Sequence, residues 1–149
     1  MNMNLSMEEI LRHRKIRPTA MRLLVLDYLT EQDKAVSLAD VQHSFGKLDK
    51  STVYRTLRVF EEKKLVHRIE DGTGHTKYAL CREECECLPC DIHFHYHCTG
   101  CHKTVCLTSG NIPVPRLPEG FDVTEANLVL KGLCAKCSVK KTLQPNCKI

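Results

Sequence analysis

STVYRTLRVFEEKKLVHRIEDGTGHTKYAL, residues 51–80, reads as a helix, two short extended runs and the turn between them. Val53, Leu57 and Phe60 recur at helical spacing and should face inward, which leaves Ser51, Thr52, Tyr54, Arg55 and Arg58 on the outer face. Asp49 or Ser51 can cap this helix, which is expected to run through Lys64. LVHRIE and HTKYAL then alternate as half-buried strands do, and Asp71-Gly72-Thr73-Gly74 between them is a hairpin turn.

Upstream, Pro18 suits the first turn of a helix whose face would carry Met21, Leu24, Val25 and Tyr28. Ser37 followed by Asp40 resembles a capping box for a second helix bearing Leu38, Val41 and Phe45, which Gly46 stops. Three helices and a hairpin make a winged helix. In such domains the last helix lies in the major groove, its N-terminal side chains reaching base edges while flanking cations hold phosphates. Tyr54 and Arg55 are the base-proximal candidates, although helical pattern alone equally allows a core tyrosine and a solvated arginine. The stretch from Leu11 to Arg22 adds Arg12, His13, Arg14, Lys15, Arg17 and Arg22 with no acidic residue, a cationic surface suited to phosphate. The net charge of +4 is too modest to argue further.

All ten cysteines lie from Cys81 onward, which implies a second module of different chemistry. The N-terminal MNMNLSMEEI has neither the basic start nor the apolar run of a secretory signal, and no apolar stretch approaches the roughly 20 residues needed to cross a bilayer. A cytoplasmic protein with reduced thiols and no membrane partner is expected, and there clustered cysteines are better read as metal ligands or redox groups than as disulfides. Cys98-Thr99-Gly100-Cys101 and Cys134-Ala135-Lys136-Cys137 each put two thiolates on a tight turn, together the four sulfurs of a tetrahedral structural zinc site. Two redox dithiols or an iron–sulfur cluster are the competing readings. Between the pairs, TVCL is a candidate strand and FDVTEANLVLKG a longer extended run alternating Val123, Leu128 and Leu130. Pro113, Pro115 and Pro118 argue against a long helix before Gly120.

His93-Phe94-His95-Tyr96-His97 alternates imidazoles with aromatics just before Cys98, so in an extended chain all three histidines share one face. His67 and Cys81, from the two hairpin strands, fall at the junction between the modules. A mixed His/Cys site there would suit zinc or another borderline-soft ion and could couple metal occupancy to domain orientation.

Arg17-Pro18-Thr19 with Arg22, Ser51-Thr52-Val53-Tyr54-Arg55-Thr56-Leu57, and His93-x-His95-x-x-Cys98-x-x-Cys101 resemble the opening helix, recognition helix and metal signature of the ferric uptake regulator family, over about Leu11 to Lys140. The resemblance implies an α+β protein: a winged-helix DNA-binding domain over residues 1–82, a cysteine-rich linker over 83–92, and an α/β dimerisation domain over 93–149. It implies a homodimer that represses transcription by metal-dependent binding to palindromic double-stranded operators, with recognition helices about 34 Å apart. Arg17, Thr19, Arg22, Ser51, Thr52, Tyr54, Arg55 and Arg58 are the DNA-binding residues by this likeness. The zinc-uptake branch is the nearest match, because its members commonly carry a cysteine where Cys81 stands. Its sensing site would be His67, Cys81, His93 and His95. Ala79 and Ala35 stand where iron sensors often carry Glu and His; Fe2+ or Mn2+ at the sensing site remains the alternative, as does a peroxide or thiol sensor.

Cys85, Cys87 and Cys90 form an apparent insertion, and Cys106 sits where a carboxylate ligand is often seen; with His97 these are candidate further ligands or redox groups. Cys147 has no reading. Ile92 and Phe94 replace polar ligands of an additional site in some relatives, so that site is expected to be absent. An enzyme is not expected: the chain has no HExxH motif, four junction ligands would close the zinc sphere, and no βαβ pattern accompanies the CxxC pairs.

Overall fold

The computed structural model describes residues 5–46, 48–81, 93–107, 115–124 and 126–141. The expected linker over 83–92, with Cys85, Cys87 and Cys90, lies outside the described residues, as do Ile92, Pro113 and Cys147.

Helix α1, Met7–His13, precedes the helices read from the sequence: Ser6 and Glu9 form a reciprocal capping box, and Leu11 is fully buried. Helix α2, Ala20–Thr30, starts two residues later than Pro18 suggests, because Thr19 is the N-cap and accepts from the Arg22 amide. Its buried face is Val25, Leu26 and Leu29, and the expected core residue Leu24 is 43% exposed. Four consecutive apolar residues, Leu23 to Leu26, leave the helical register open at sequence level, and tertiary packing selects it. Strand β1, Val36–Ser37, leads into α3, Leu38–Ser44, capped by the expected Ser37–Asp40 box. Gly46, with φ of 68°, follows its end.

Helix α4, Lys50–Glu62, is capped by Asp49, not Ser51, and buries Val53, Thr56, Leu57 and Phe60. Strands β2, Val66–Ile69, and β3, Lys77–Leu80, form the wing hairpin, with β1 added on the outer side of β3 in the order β1-β3-β2. One core joins all of this, with Phe60 its largest fully buried side chain. Phe60→Ala should therefore cost about 3–5 kcal/mol, read as a lowered denaturation midpoint of the winged helix; a midpoint unchanged within error would mean that the helix is not anchored there.

The second unit is a three-stranded sheet of β4, Phe94–Cys98, β5, Thr104–Leu107, and β6, Leu128–Gly132, in the order β5-β4-β6. β4 pairs antiparallel with β5 and parallel with β6. The extended run expected from Phe121 is regular only from Leu128. Helix α5, Ala135–Lys141, contains Cys137 and was not legible as a helix, since AKCSVKK has no apolar stripe. Among the described residues this unit contributes Cys98 alone to the buried apolar set. No described helix is long and apolar enough to cross a membrane.

Candidate metal centres and nucleic-acid interface

The first cluster closes where the sequence places it. The ligand atoms of Cys98, Cys101, Cys134 and Cys137 lie within 4.8 Å of one another. Cys98 ends β4, and Cys134 and Cys137 flank the first turn of α5, so the sulfurs join the sheet to its terminal helix. The Cys98 Sγ accepts from the Cys134 amide at 3.2 Å and the Cys101 amide at 3.5 Å, and these backbone donors hold the thiol down at about 5. Cys137 moves the other way, to about 12, because it hydrogen-bonds with the Cys134 sulfur, is half-buried, and faces Cys98 and Cys101. Four sulfurs this close cannot all ionise without a cation among them. That donor set fits zinc.

The second cluster lies between the two units. β4 and β5 register His95 opposite Cys106 and His97 opposite Thr104, so all four side chains share the sheet face turned toward the wing. His67 reaches in from β2. Its Nε2 lies 3.3 Å from the Nε2 of His93, from the Nε2 of His95 and from the Cys106 Sγ. Ligand atoms of these four residues fall within 4.8 Å of one another. His95 is buried, and its Nδ1 has no hydrogen-bond partner among the described residues, so the ring's polar interactions run through Nε2 into the cluster. Burial alone would raise the Cys106 thiol, but contacts with His67, His93 and His95 outweigh it and bring the thiol down to about 4. Three imidazole nitrogens and a thiolate are a borderline-soft, tetrahedral-capable set that fits zinc.

Two expectations shift here. Cys106, held in the sequence reading as a further ligand or redox group, is the fourth member of the cluster. Cys81 instead sets its Sγ 3.4 Å from His67 Nδ1, the nitrogen turned away from the cluster, and is itself buried. The sequence signal for Cys106 was its parity with Thr104 on a strand facing the histidines, which becomes informative only once the β4–β5 register is known. His97 does not join: its Nδ1 lies 2.9 Å from the Thr104 hydroxyl and 3.4 Å from the Asp71 carboxylate.

On α4, Tyr54 is 46% exposed, so it is not a core residue. Arg55 and Arg58 are exposed as well. The Ser51 and Thr52 hydroxyls both bond to Asp49, which ties them into the helix cap. Arg55 folds back on Ser51, its Nε 3.3 Å from the Ser51 carbonyl, and Arg58 lies 3.6 Å from Glu61 and 3.7 Å from Glu62. Such exposed pairs are weak and readily exchanged for phosphate. Thr19 is spent on capping α2, and the Arg22 guanidinium donates to the Arg17 carbonyl at 2.8 Å. The outer face of α4 is thus free of apolar burial and carries an aromatic, Tyr54, and two cations, Arg55 and Arg58, along its length.

The ferric uptake regulator family model matches residues 13–128. The peroxide operon regulator of Bacillus subtilis (strain 168) is 27% identical over 146 residues, covering 89% of this chain and 92% of its own. The ferric uptake regulation protein of the same organism is 27% identical over 128 residues, covering 78% and 76%. Among solved structures, a zinc uptake regulator complexed with zinc and DNA has a TM-score of 0.66 at 24% identity, over 91% of this chain and 92% of that one. The ferric uptake regulator from Pseudomonas aeruginosa with manganese has a TM-score of 0.57 at 22% identity, over 88% and 99%. These structural likenesses speak for the fold.

Proposed function

The chain belongs to the ferric uptake regulator family, and from that premise we propose that it is a cytoplasmic, zinc-responsive repressor that binds palindromic operator DNA as a homodimer. One observation carries the zinc reading: His67 from the wing meets His93, His95 and Cys106 from the sheet at a single point. A zinc ion held there would supply four bonds across the junction and remove the repulsion between donors. His67 carries the wing, and with it the end of α4, toward the sheet. The thiolate and the absence of a carboxylate from this set favour zinc over iron or manganese, and four protein donors leave no open position for hydrolysis.

Dimerisation is supported by what one chain leaves uncovered. Phe121 is 69% and Val139 72% exposed, and β6, an outer strand, presents Leu130 at 47%. Paired subunits would set two α4 helices on successive major grooves.

The test compares operator affinity in a gel-shift series with the junction loaded and emptied while the four-cysteine zinc stays in place. Tight binding only in the loaded form is expected, and equal affinity in both would end the proposal. Within the loaded form, Arg55→Ala should lower operator affinity by about 10- to 100-fold with zinc content unchanged. Affinity held at the parental level would remove Arg55 from the interface.

A further inference from the structure

Asp71, in the wing turn, is 1% exposed, yet it is a carboxylate that the metal clusters do not use. Burial works against its charge, but the Lys77 ammonium, then the hydroxyls of Thr104 and Thr73, outweigh it and keep the carboxyl well below the usual carboxylate range. Lys77 Nζ lies 2.6 Å from Asp71 Oδ2, and the Thr104 hydroxyl donates to the same oxygen at 2.6 Å. Lys77 also reaches the Thr104 hydroxyl at 3.0 Å and the His102 carbonyl at 3.3 Å. Asp71 and Lys77 belong to the wing, Thr104 and His102 to the sheet unit. The cluster therefore crosses the same junction as the metal site, one step along the sheet: His95 and Cys106 face each other on one rung, His97 and Thr104 on the next same-face rung.

The surroundings belong to the same contact. Asn127 donates to the Glu70 carbonyl at 2.7 Å, the Ala35 amide donates to the Thr104 carbonyl at 2.7 Å, and a Cβ at Gly72 would collide with the Lys131 ammonium. The wing turn is thus seated on the end of the β4–β6 sheet. The φ of 78° at that point favours a glycine, whereas the Lys131 side chain could swing aside from a larger residue.

We propose that Asp71 is a positioning residue: with Lys77 and Thr104 it forms a metal-free latch between wing and dimerisation sheet that fixes the wing's orientation about the metal cluster. The physical need is simple. One ligand from the wing pins a single point and leaves the wing free to turn about it. The latch, roughly 7 Å away, two residues along a strand, adds a buried anchor to the Ala35–Thr104 and Asn127–Glu70 contacts and resists that turn. The latch has to be made together with the metal site, because both use the same face of β4 and β5. A buried carboxylate that loses the Thr104 hydroxyl keeps its desolvation cost with one hydrogen bond fewer, and the bond lost is its direct one to the sheet unit, so the loss loosens the junction. This inference rests on the junction reading above, with a test that separates the two.

Thr104→Val keeps the side chain's shape and removes only the hydroxyl, and Thr104→Ser restores it. In the full chain with both zinc sites loaded, hydrogen exchange of the amides over residues 71–77 should rise by about tenfold in Thr104→Val, although the change lies in the other unit. Zinc affinity at the junction should fall by about the same factor, and Thr104→Ser should return both to the parental value. Asp71→Asn combined with Thr104→Val should loosen the wing no further than either alone. Unchanged exchange over 71–77 in Thr104→Val, or full additivity of the pair, would overturn the latch. Should operator binding prove independent of the junction metal while Thr104→Val still loosens the wing, the latch stands and the zinc-response reading falls.

Discussion

Cys98→Ser protein is expected to lose the folded C-terminal unit, to lose both zinc ions of the chain with it because the junction cluster takes His93, His95 and Cys106 from that unit, and to elute as a monomer. The reason lies in how little else holds that unit together. The buried apolar cluster is built from residues of the winged helix, and the sheet unit adds only Cys98 to the buried apolar set among the described residues. A zinc site of this type contributes on the order of 10–16 kcal/mol of apparent binding energy, as much as the whole stability of an ordinary domain, about 5–15 kcal/mol. Cys98 is also the sulfur that accepts two backbone amides, so replacing it leaves the Cys101 and Cys134 amides without that partner. The winged helix has its own core around Phe60 and should keep its helical signal. Elemental analysis, circular dichroism and size exclusion on parental and variant protein read the three effects. Zinc content and dimer both retained would show that the sheet and its partner hold the unit without the metal.

What the sequence disclosed and what it withheld follows from the range of the interactions involved. The winged helix was legible because its signals are local: Asp49 and Ser37 as caps, Val53, Leu57 and Phe60 as a stripe, Asp71 to Gly74 as a turn. The four-cysteine site was legible because each CxxC pair brings two ligands to one turn. The junction was only half legible. Strand alternation placed His93 and His95 on one face, but nothing local states which residue of β5 stands opposite His95. That is fixed by the pairing of Cys106 with it. Likewise Asp71 read as a turn residue, and its burial against Thr104 depends on a contact 33 positions away. Helix α5 and the register of α2 were missed for a different reason. Neither has a distinct apolar period of its own: in α5, Cys137 joins the four-cysteine cluster, while in α2 the core chooses Val25, Leu26 and Leu29 from an unbroken apolar run.

Cys106→Ser should lower zinc affinity at the junction by about 100-fold or more, whereas Cys81→Ser should lower it by only about tenfold. Both sulfurs touch the same ring, on opposite nitrogens: Cys106 lies 3.3 Å from His67 Nε2, and Cys81 3.4 Å from His67 Nδ1. Cys106 thus sits among the donors, with a thiol already brought down to about 4 by three histidines, while Cys81 is placed to hold the ring's tautomer so that Nε2 offers its lone pair. A serine at 106 replaces a thiolate with a poor ligand. At 81 it can still bond to Nδ1, which is why the loss there is smaller. Elemental analysis should give two zinc ions per chain for the parent, one for Cys106→Ser and two for Cys81→Ser, with operator affinity following the junction ion. Cobalt substitution adds an independent reading, since sulfur-to-cobalt charge-transfer absorption from the junction should vanish in Cys106→Ser and persist in Cys81→Ser. The reverse order would make Cys81 the ligand, as the family likeness implies, and would require the His67 ring to present its other nitrogen to the ion. The ranking of these two variants therefore decides which sulfur completes the sensing site.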